Sequence, residues 1–485
     1  MVKKIYFMGI KGVGMATLAI IAKESGFIVG GSDIEEEFIT DKTLRGAGIE
    51  VRIGFRKENV KEFFGTNAYE ECLFIATAAH GGFDNVEAEW ARENGIKVIS
   101  HGEAVGIFMS GGLFGQKFEG VSVSGSHGKT TISGMIAACL SRLGSDPSFM
   151  VGSSEINPIG AAGHYGRGKY FVAEADEYLS EAKYDQIPKF LYQNPKYLII
   201  NNIDFDHPDF FKNIEAVRNA YGEFVAKLSP DSTIIVNGDD DNIKSIRDTT
   251  RITGENSRIR VITYGTDEGN EFVIKNFKQE GFISQFEVLR NGTLLGKFEL
   301  SVPGYHNAKN SLAVIALLIE LGISILDIQK VLPEFKGVKR RLERIGELDS
   351  GVLIFDDYAH HPEEIRKTLE ALRAAYPYKK ITLIFQAHTY SRTKAMLDSF
   401  ISSLAGVSEL IILPTFASAR DISGHDIEED KNFVEKIRAI QPNVKLVETK
   451  EGVIEYIRKN VRGSDKLVIT MGAGDVYKIG YELTG

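Results

Sequence analysis

The sequence predicts an α/β protein of three domains, over residues 1–119, 120–338 and 339–485. Short β-branched runs alternate with helix-like stretches at the spacing of βαβ units, the pattern of parallel sheets. That rhythm starts afresh twice, near residue 120 and again beyond a basic stretch at residues 339–344. The length of 485 residues is also about three times the ~150 of a typical domain.

In the first part, runs at 4–9, 28–31, 73–77 and 97–99 read as strands and 15–25 as a helix. The second part opens with strand, loop and helix over 120–139 and continues with strands at 170–174, 197–201 and 233–236. Between 271 and 302 the pattern becomes alternating strands around Arg290-Asn291-Gly292, which predicts a hairpin insertion instead of another crossover. Pro303 and Gly304 lead into a helix over 311–321, and the third part carries strands at 352–355, 381–385, 409–413, 444–447 and 466–470.

Composition narrows the function. With 43% hydrophobic and 25% charged residues the chain can build several cores, and wholesale disorder is excluded. A formal charge of -9 argues against a nucleic-acid binder. Cys72 and Cys139 sit in apolar settings and read as buried thiols. No apolar run approaches the ~20 residues that span a bilayer, and Gly9, Gly12 and Gly14 interrupt the N-terminal stretch before it forms a signal-peptide core. A cytoplasmic protein without membrane insertion is expected.

The clearest chemistry lies in Gly125-Ser126-His127-Gly128-Lys129-Thr130-Thr131, between a strand and a helix. Backbone N–H groups freed by the glycines can face a phosphate, and the helix N-terminus adds partial positive charge. Lys129 can reach terminal phosphates and the Thr130 hydroxyl can hold Mg²⁺. The usual first glycine of such a P-loop would fall on Val123. Near the start, Gly9, Lys11, Gly12 and Gly14 form another strand-to-helix loop, with Asp33 downstream as a candidate ribose acceptor. The glycine order reverses the dinucleotide fingerprint, so a diphosphate ligand is favoured over NAD; glycines used only for packing are the plain alternative.

Glu174 follows one predicted strand and His207 another, where open α/β sheets place ligands. Mg²⁺ takes few protein oxygens and keeps waters, so Glu174 with Thr130 suits it, and His207 is a further candidate ligand. Asn307 and Asn310 precede the helix expected at 311 and, taken alone, read as caps. Asp357, His360 and His361 follow one strand of the third part, and His388 and Arg392 follow another. Five of the ten histidines fall in these loops, more than scattered core or surface histidines would. Arg340 belongs to a basic run that reads either as a solvated face or as a phosphate contact at a domain junction.

Together these segments resemble the Mur ligases, ATP-dependent amide-forming enzymes of peptidoglycan precursor synthesis. Residues 125–131 are similar to that family's G-T-x-G-K-T-T loop, with Ser126 in place of Thr. Glu174 falls in E-A-D-E, His207 in N-x-x-x-D-H, Asn307 and Asn310 in H-N-x-x-N, and Asp357 in D-Y-x-H-H-P. Within the family, the branch that joins L-alanine to UDP-N-acetylmuramate is nearest. Residues 9–15 resemble its G-I-x-G-x-G-M, 386–392 its Q-P-H-x-Y-S-R and 470–475 its T-M-G-A-G-D. Ala387, Val86 and Tyr178 depart from that pattern, and residues 188–211 are closer to the branch that recycles murein tripeptide onto the same nucleotide sugar.

The resemblance implies an N-terminal Rossmann-like domain binding the UDP-substrate through Gly9, Lys11, Gly12, Gly14, Asp33 and Thr77. It implies a central P-loop domain in which residues 125–131, with Asn307, Asn310, Arg340 and Asp357, bind ATP. Thr130, Glu174 and His207 would hold Mg²⁺. A C-terminal Rossmann-like domain would take the amino donor with His360, His388 and Arg392. Lys129, Glu174 and His207 carry the catalytic expectation, His207 either as metal ligand or as the base for the amine. Removing Lys129 is expected to abolish turnover and spare the fold. The partners implied are small molecules, and the chain is expected to be a monomer or homodimer. A P-loop switch would leave the third-part histidines unexplained and lacks N-K-x-D, and a nicotinamide dehydrogenase would leave the P-loop idle.

Overall fold

The computed structural model describes residues 2–65, 69–181, 183–206, 210–249, 259–416 and 427–485. They form two compact units. The first comprises Met1–Asn276, Phe286–Glu299 and Lys309–Lys336, the second Phe277–Gln285, Leu300–Ala308 and Gly337–Gly485.

The first unit holds two large sheets and a two-stranded one that pairs Leu179–Glu181 with Asp185–Pro188. One large sheet is parallel, with Glu50–Ile53, Ile28–Asp33, Lys4–Met8, Cys72–Ala76 and Lys97–Ser100 in that order across it. Ile5, Tyr6, Phe7 and Met8 are all buried, as a strand covered on both faces requires. The strand order reverses at Lys4–Met8, so a crevice opens past its end and that of Cys72–Ala76. The other large sheet includes, in order across it, Phe272–Glu280, Arg260–Gly265, Thr233–Asn237, Tyr197–Ile200, Glu119–Ser124, Tyr170–Ala175 and Ser148–Asn157.

These two sheets share a core. The helix Val13–Glu24 buries every residue from Met15 to Ala22, too many for a one-sided amphipathic helix. Its apolar residues join Met150, Phe171 and Ala173 of the second sheet in one cluster. Backbones approach closely there: a Cβ on Gly163 would lie 2.5 Å from Thr17 O.

The second unit carries a six-stranded sheet ordered Glu343–Glu347, Leu353–Asp357, Lys466–Met471, Lys380–His388, Glu409–Phe416 and Val444–Leu446. All pairs but the first are parallel, and apolar clusters cover both faces.

The predicted turn at Arg290-Asn291-Gly292 joins the strands Ile283–Arg290 and Thr293–Leu300, with Asn291 at φ +50° and Gly292 at φ +77°, as a two-residue type I′ hairpin needs. The helix expected from 311 instead spans Tyr305–Glu320. Asn307 and Asn310 therefore lie inside it, which corrects the capping alternative. Asn307 Nδ2 donates to Pro303 O at 2.7 Å, so the amide serves the chain just before the helix from within its first turn. Both cysteines are buried thiols outside any disulfide. Among the described residues no helix is long and apolar enough to cross a membrane.

Candidate active site

Three neighbouring parallel strands build the centre of the first unit. Glu119–Ser124 lies between Tyr170–Ala175 and Tyr197–Ile200, with Ser124 level with Ala175 and Ile200. The loop at 125–128, Glu174 and the residues after Ile200 thus emerge side by side. Gly125 at φ +135° and Gly128 at φ +85° shape the loop. A Cβ on residue 128 would lie 2.6 Å from Asn201 Nδ2, which leaves room only for glycine.

Asn201 and Asn202 clamp this loop. Asn202 Oδ1 accepts from His127 N at 2.8 Å, and both side-chain amides donate to His127 O. Asn201 also donates to Asn310 Oδ1 at 3.1 Å and accepts from the Tyr264 hydroxyl at 2.6 Å. Ser126 Oγ accepts from Asp204 N at 2.8 Å, and His127 Nε2 lies 3.6 Å from Asp204 Oδ2. Sequence reasoning passed over this pair, although two asparagines directly after a strand are a recognisable turn signal.

Lys129 opens the helix Lys129–Arg142. Its Nζ lies 2.8 Å from Glu177 Oε2 and donates to Gly125 O at 2.7 Å. Burial works against the ammonium, but Glu177, Asp176 and Glu174 outweigh it and hold Lys129 charged, above the ordinary lysine value. Thr130 Oγ1 donates to Glu174 Oε2 at 3.2 Å, and Glu174 Oε1 accepts from Gly152 N at 2.5 Å. One carboxylate and one hydroxyl beside a glycine loop at a helix start are the sparse oxygen set that Mg²⁺ uses together with phosphates and water, so these residues fit the ion. Thr131 is half-buried in the same helical turn. His207, expected as metal ligand or base, lies outside the described residues.

In the parallel sheet of the same unit, Gly9 at φ +75° abuts Thr77: a Cβ there would lie 2.5 Å from Thr77 Cγ2. Asp33, 1% exposed, accepts from Lys11 N at 2.7 Å and Ile34 N at 2.8 Å. Lys11 Nζ donates to Glu36 O at 2.9 Å. Both side chains brace the glycine loop. A Cβ on Gly12 would meet only Gly9 O, at 3.5 Å.

Gly14 has a different neighbour: a Cβ would lie 2.6 Å from Nε2 of His101, the first residue of the helix His101–Ser110. Sequence reasoning missed this histidine. Burial pushes its imidazole down to about 4, and burial acts likewise on His306 in the second unit, also down to about 4. Folding thus favours neutral rings. Their stabilising contribution is complete above the ordinary 6.5 and is lost as pH falls from there toward 4. The melting temperature is expected to drop across that window, and less steeply in a His101→Asn, His306→Asn double variant, as scanning calorimetry would read.

The second unit gathers its own loops at the strand ends. His360 and His388 face each other with ring centroids 5.8 Å apart, and His388 stacks on Phe416 at 6.1 Å. Arg392, 6% exposed, follows in the helix Tyr390–Ala395. Gly472 and Gly474 admit Gln386: Cβ atoms there would lie 2.4 Å from Gln386 O and 2.7 Å from its Oε1. Asp357 accepts from Leu342 N, Ala359 N and Thr368 Oγ1, and burial pushes its carboxyl up to about 6. Arg340 is committed within this unit: Nε donates to Asp356 Oδ2 at 3.0 Å, Nη1 to Gly474 O at 3.1 Å and Nη2 to Gly472 O at 2.7 Å. Its guanidinium also lies over the Tyr358 and Tyr477 rings.

Three family models match the chain in order: "Mur ligase family, catalytic domain" over residues 4–112, "Mur ligase middle domain" over 123–318 and "Mur ligase, glutamate ligase domain" over 340–474. A UDP-N-acetylmuramate--L-alanine ligase of Desulfitobacterium hafniense is 38% identical over 99% of each chain. The chain belongs to the Mur ligase family. Among solved structures, this Mur ligase is similar to the UDP-N-acetylmuramate-alanine ligase of Thermotoga maritima, at 24% identity and a TM-score of 0.78 over 99% of this chain and 98% of that one. It is also similar to a murein peptide ligase from Psychrobacter arcticus, at 23% identity and a TM-score of 0.72 over the same shares. Both likenesses bear on the fold. The three α/β domains of this Mur ligase carry its Gly125–Thr131 segment in the middle match and its paired histidines, His360 and His388, in the third.

Proposed function

We propose that the chain joins L-alanine to the carboxylate of UDP-N-acetylmuramate, consuming ATP and releasing ADP and phosphate. The observation that carries the reading is the P-loop, with Lys129, Thr130 and Glu174 converging at the ends of three parallel strands. The name of the 38% identical relative supports the choice of substrates. In this reading Gly125, Ser126, His127, Gly128, Lys129, Thr130 and Thr131 cradle the ATP phosphates, with Asn307, Asn310, Arg340 and Asp357 around the nucleotide. Gly9, Lys11, Gly12, Gly14, Asp33 and Thr77 form the UDP-substrate loop. Thr130 and Glu174, with His207 as a third ligand, would hold Mg²⁺, which when bound supplies positive charge to the phosphates.

The muramate carboxylate attacks the γ-phosphorus, the bond to ADP breaks, and an acyl phosphate results. The amine then attacks the acyl carbon, phosphate leaves and the nitrogen gives up a proton. Lys129 offsets charge on the transferring phosphoryl group. Arg392 suits the donor's carboxylate, and His360 and His388 suit its amine. The reading divides the chain at 119/120 and 338/339, and makes it a cytoplasmic monomer or homodimer.

Residues 188–211 favour a second reading, in which the donor is the tripeptide L-Ala-γ-D-Glu-meso-diaminopimelate. Phosphate release from ATP with UDP-N-acetylmuramate, compared between the two donors and followed by mass spectrometry of the product, separates them. Release with L-alanine is expected. Release with tripeptide alone would establish the second reading, and silence with both would overturn the substrates.

A further inference from the structure

Tyr264 lies near the end of the strand Arg260–Gly265, level with Asn237, and is fully buried. Two strands, Thr233–Asn237 and Tyr197–Ile200, separate it from Glu119–Ser124, which leads into the loop at 125–128. It reaches that loop through one residue. Its hydroxyl donates to Asn201 Oδ1 at 2.6 Å, and Asn201 Nδ2 donates to His127 O at 2.9 Å and to Asn310 Oδ1 at 3.1 Å. The direction of each bond follows from the groups themselves. A backbone carbonyl only accepts, so the atom that Asn201 turns toward His127 O is its amide nitrogen. Asn310 then presents oxygen to the second N–H, and the Asn201 oxygen is left toward Tyr264 as an acceptor in need of a donor.

Asn201 is buried, so without the hydroxyl its oxygen would be an orphaned acceptor, which costs more than the hydrogen bond contributes. The amide can relieve that cost by rotating, but rotation withdraws Nδ2 from His127 O. This nitrogen is also packed against Gly128, where a Cβ would lie 2.6 Å from it, so a shift of the amide is felt by the loop at once. We propose that Tyr264 is a positioning residue for nucleotide binding: by holding the Asn201 amide in one orientation it keeps the loop at 125–128 in the shape that receives phosphate. Being fully buried, it does so without touching the ligand. The proposal rests on the reading of residues 125–131 as the ATP site. Without the hydroxyl the loop has a choice of shapes and nucleotide binds only the receptive fraction, so the apparent Kd rises by the inverse of that fraction. Saturating nucleotide restores the receptive shape, and the loss therefore falls on KM for ATP and not on kcat.

The test is calorimetric titration of the full chain with adenylyl imidodiphosphate and Mg²⁺. Tyr264→Phe is expected to raise the Kd about fivefold to tenfold, the scale of one neutral hydrogen bond and its orphaned partner. Its affinity for UDP-N-acetylmuramate and its kcat for phosphate release at saturating ATP should stay at the wild-type values. In an Asn201→Ala background the same substitution should add nothing, because the oxygen that needs the hydroxyl is gone. Asn201→Ala alone should weaken the analogue at least as much as Tyr264→Phe, and it carries the test by itself if the phenylalanine variant does not fold. Wild-type analogue affinity in either single variant, equal losses from Tyr264→Phe in both backgrounds, an equal loss of affinity for UDP-N-acetylmuramate, or a fall in kcat with KM for ATP unchanged would each overturn the proposal. A wild-type chain that does not bind the analogue would overturn the nucleotide reading itself, whereas binding that ignores Tyr264 would overturn only the proposed role of that residue.

Discussion

Lys129→Ala is expected to lower turnover about 10³-fold or more, the scale of removing one group that stabilises transition-state charge, and to destabilise the protein as well. The second effect reverses the expectation drawn from the motif, that the fold would be spared. The lysine is not a solvated side chain waiting at a loop: it neutralises Glu177, which is buried, at 2.8 Å. Breaking a buried pair from one side costs about 3–5 kcal/mol, because the other charge stays behind. Lys129→Ala combined with Glu177→Gln should recover most of that stability and none of the turnover. Urea unfolding and phosphate release, measured on the same samples, separate the two effects. Wild-type stability in Lys129→Ala would show that Glu177 does not depend on the lysine, and recovered turnover in the double variant would remove Lys129 from the chemistry.

Arg340→Met is expected to destabilise the second unit by about 3–5 kcal/mol. Asp356, 0% exposed, loses its cation, and the carbonyls of Gly472 and Gly474 lose donors at the same time. Arg340→Lys should restore little, since an ammonium cannot reproduce a planar fork that serves three acceptors between two aromatic rings. Arg340→Met with Asp356→Asn should regain part of the loss by removing the orphaned charge. Denaturant midpoints for the three variants decide the matter, and a midpoint for Arg340→Met within experimental error of the parent would rule out this role. Nucleotide affinity of Arg340→Lys, measured under folding conditions, tests the phosphate role that the basic run suggests.

The difference between these arginine and lysine side chains and their motif readings shows where sequence is informative. The βαβ rhythm identified the parallel sheets, because a strand buried on both faces must be apolar throughout and its ends must turn. The P-loop was readable for the same local reason: glycines, a lysine and a hydroxyl residue fall within one strand-to-helix join. The clamp of Asn201 and Asn202 on His127, the ion pair of Lys129 with Glu177 and the contact of His101 with Gly14 join residues 48 to 87 positions apart in the chain. No periodicity encodes them. Asp33 ends the strand Ile28–Asp33, two residues beyond the run read as a strand, and its use as a brace for the Lys11 amide depends on hydrogen bonds that spacing does not specify. The helix start was misjudged for a local reason, since Asn307 serves Pro303 from inside a turn that its residue type would usually precede.

The apolar cluster that unites the helix Val13–Glu24 with Met150, Phe171 and Ala173 has a practical consequence for anyone cutting or recombining this chain. A fragment begun at residue 120, the boundary that the motifs invite, would expose Met150, Phe171 and Ala173 and so lose part of the cover of the sheet that carries residues 125–128. A chimera that borrows residues 1–119 from a relative would inherit the same mismatch unless the facing positions came with it. Heredity should act on these two sheets jointly, with compensating substitutions crossing residue 119 within the first unit.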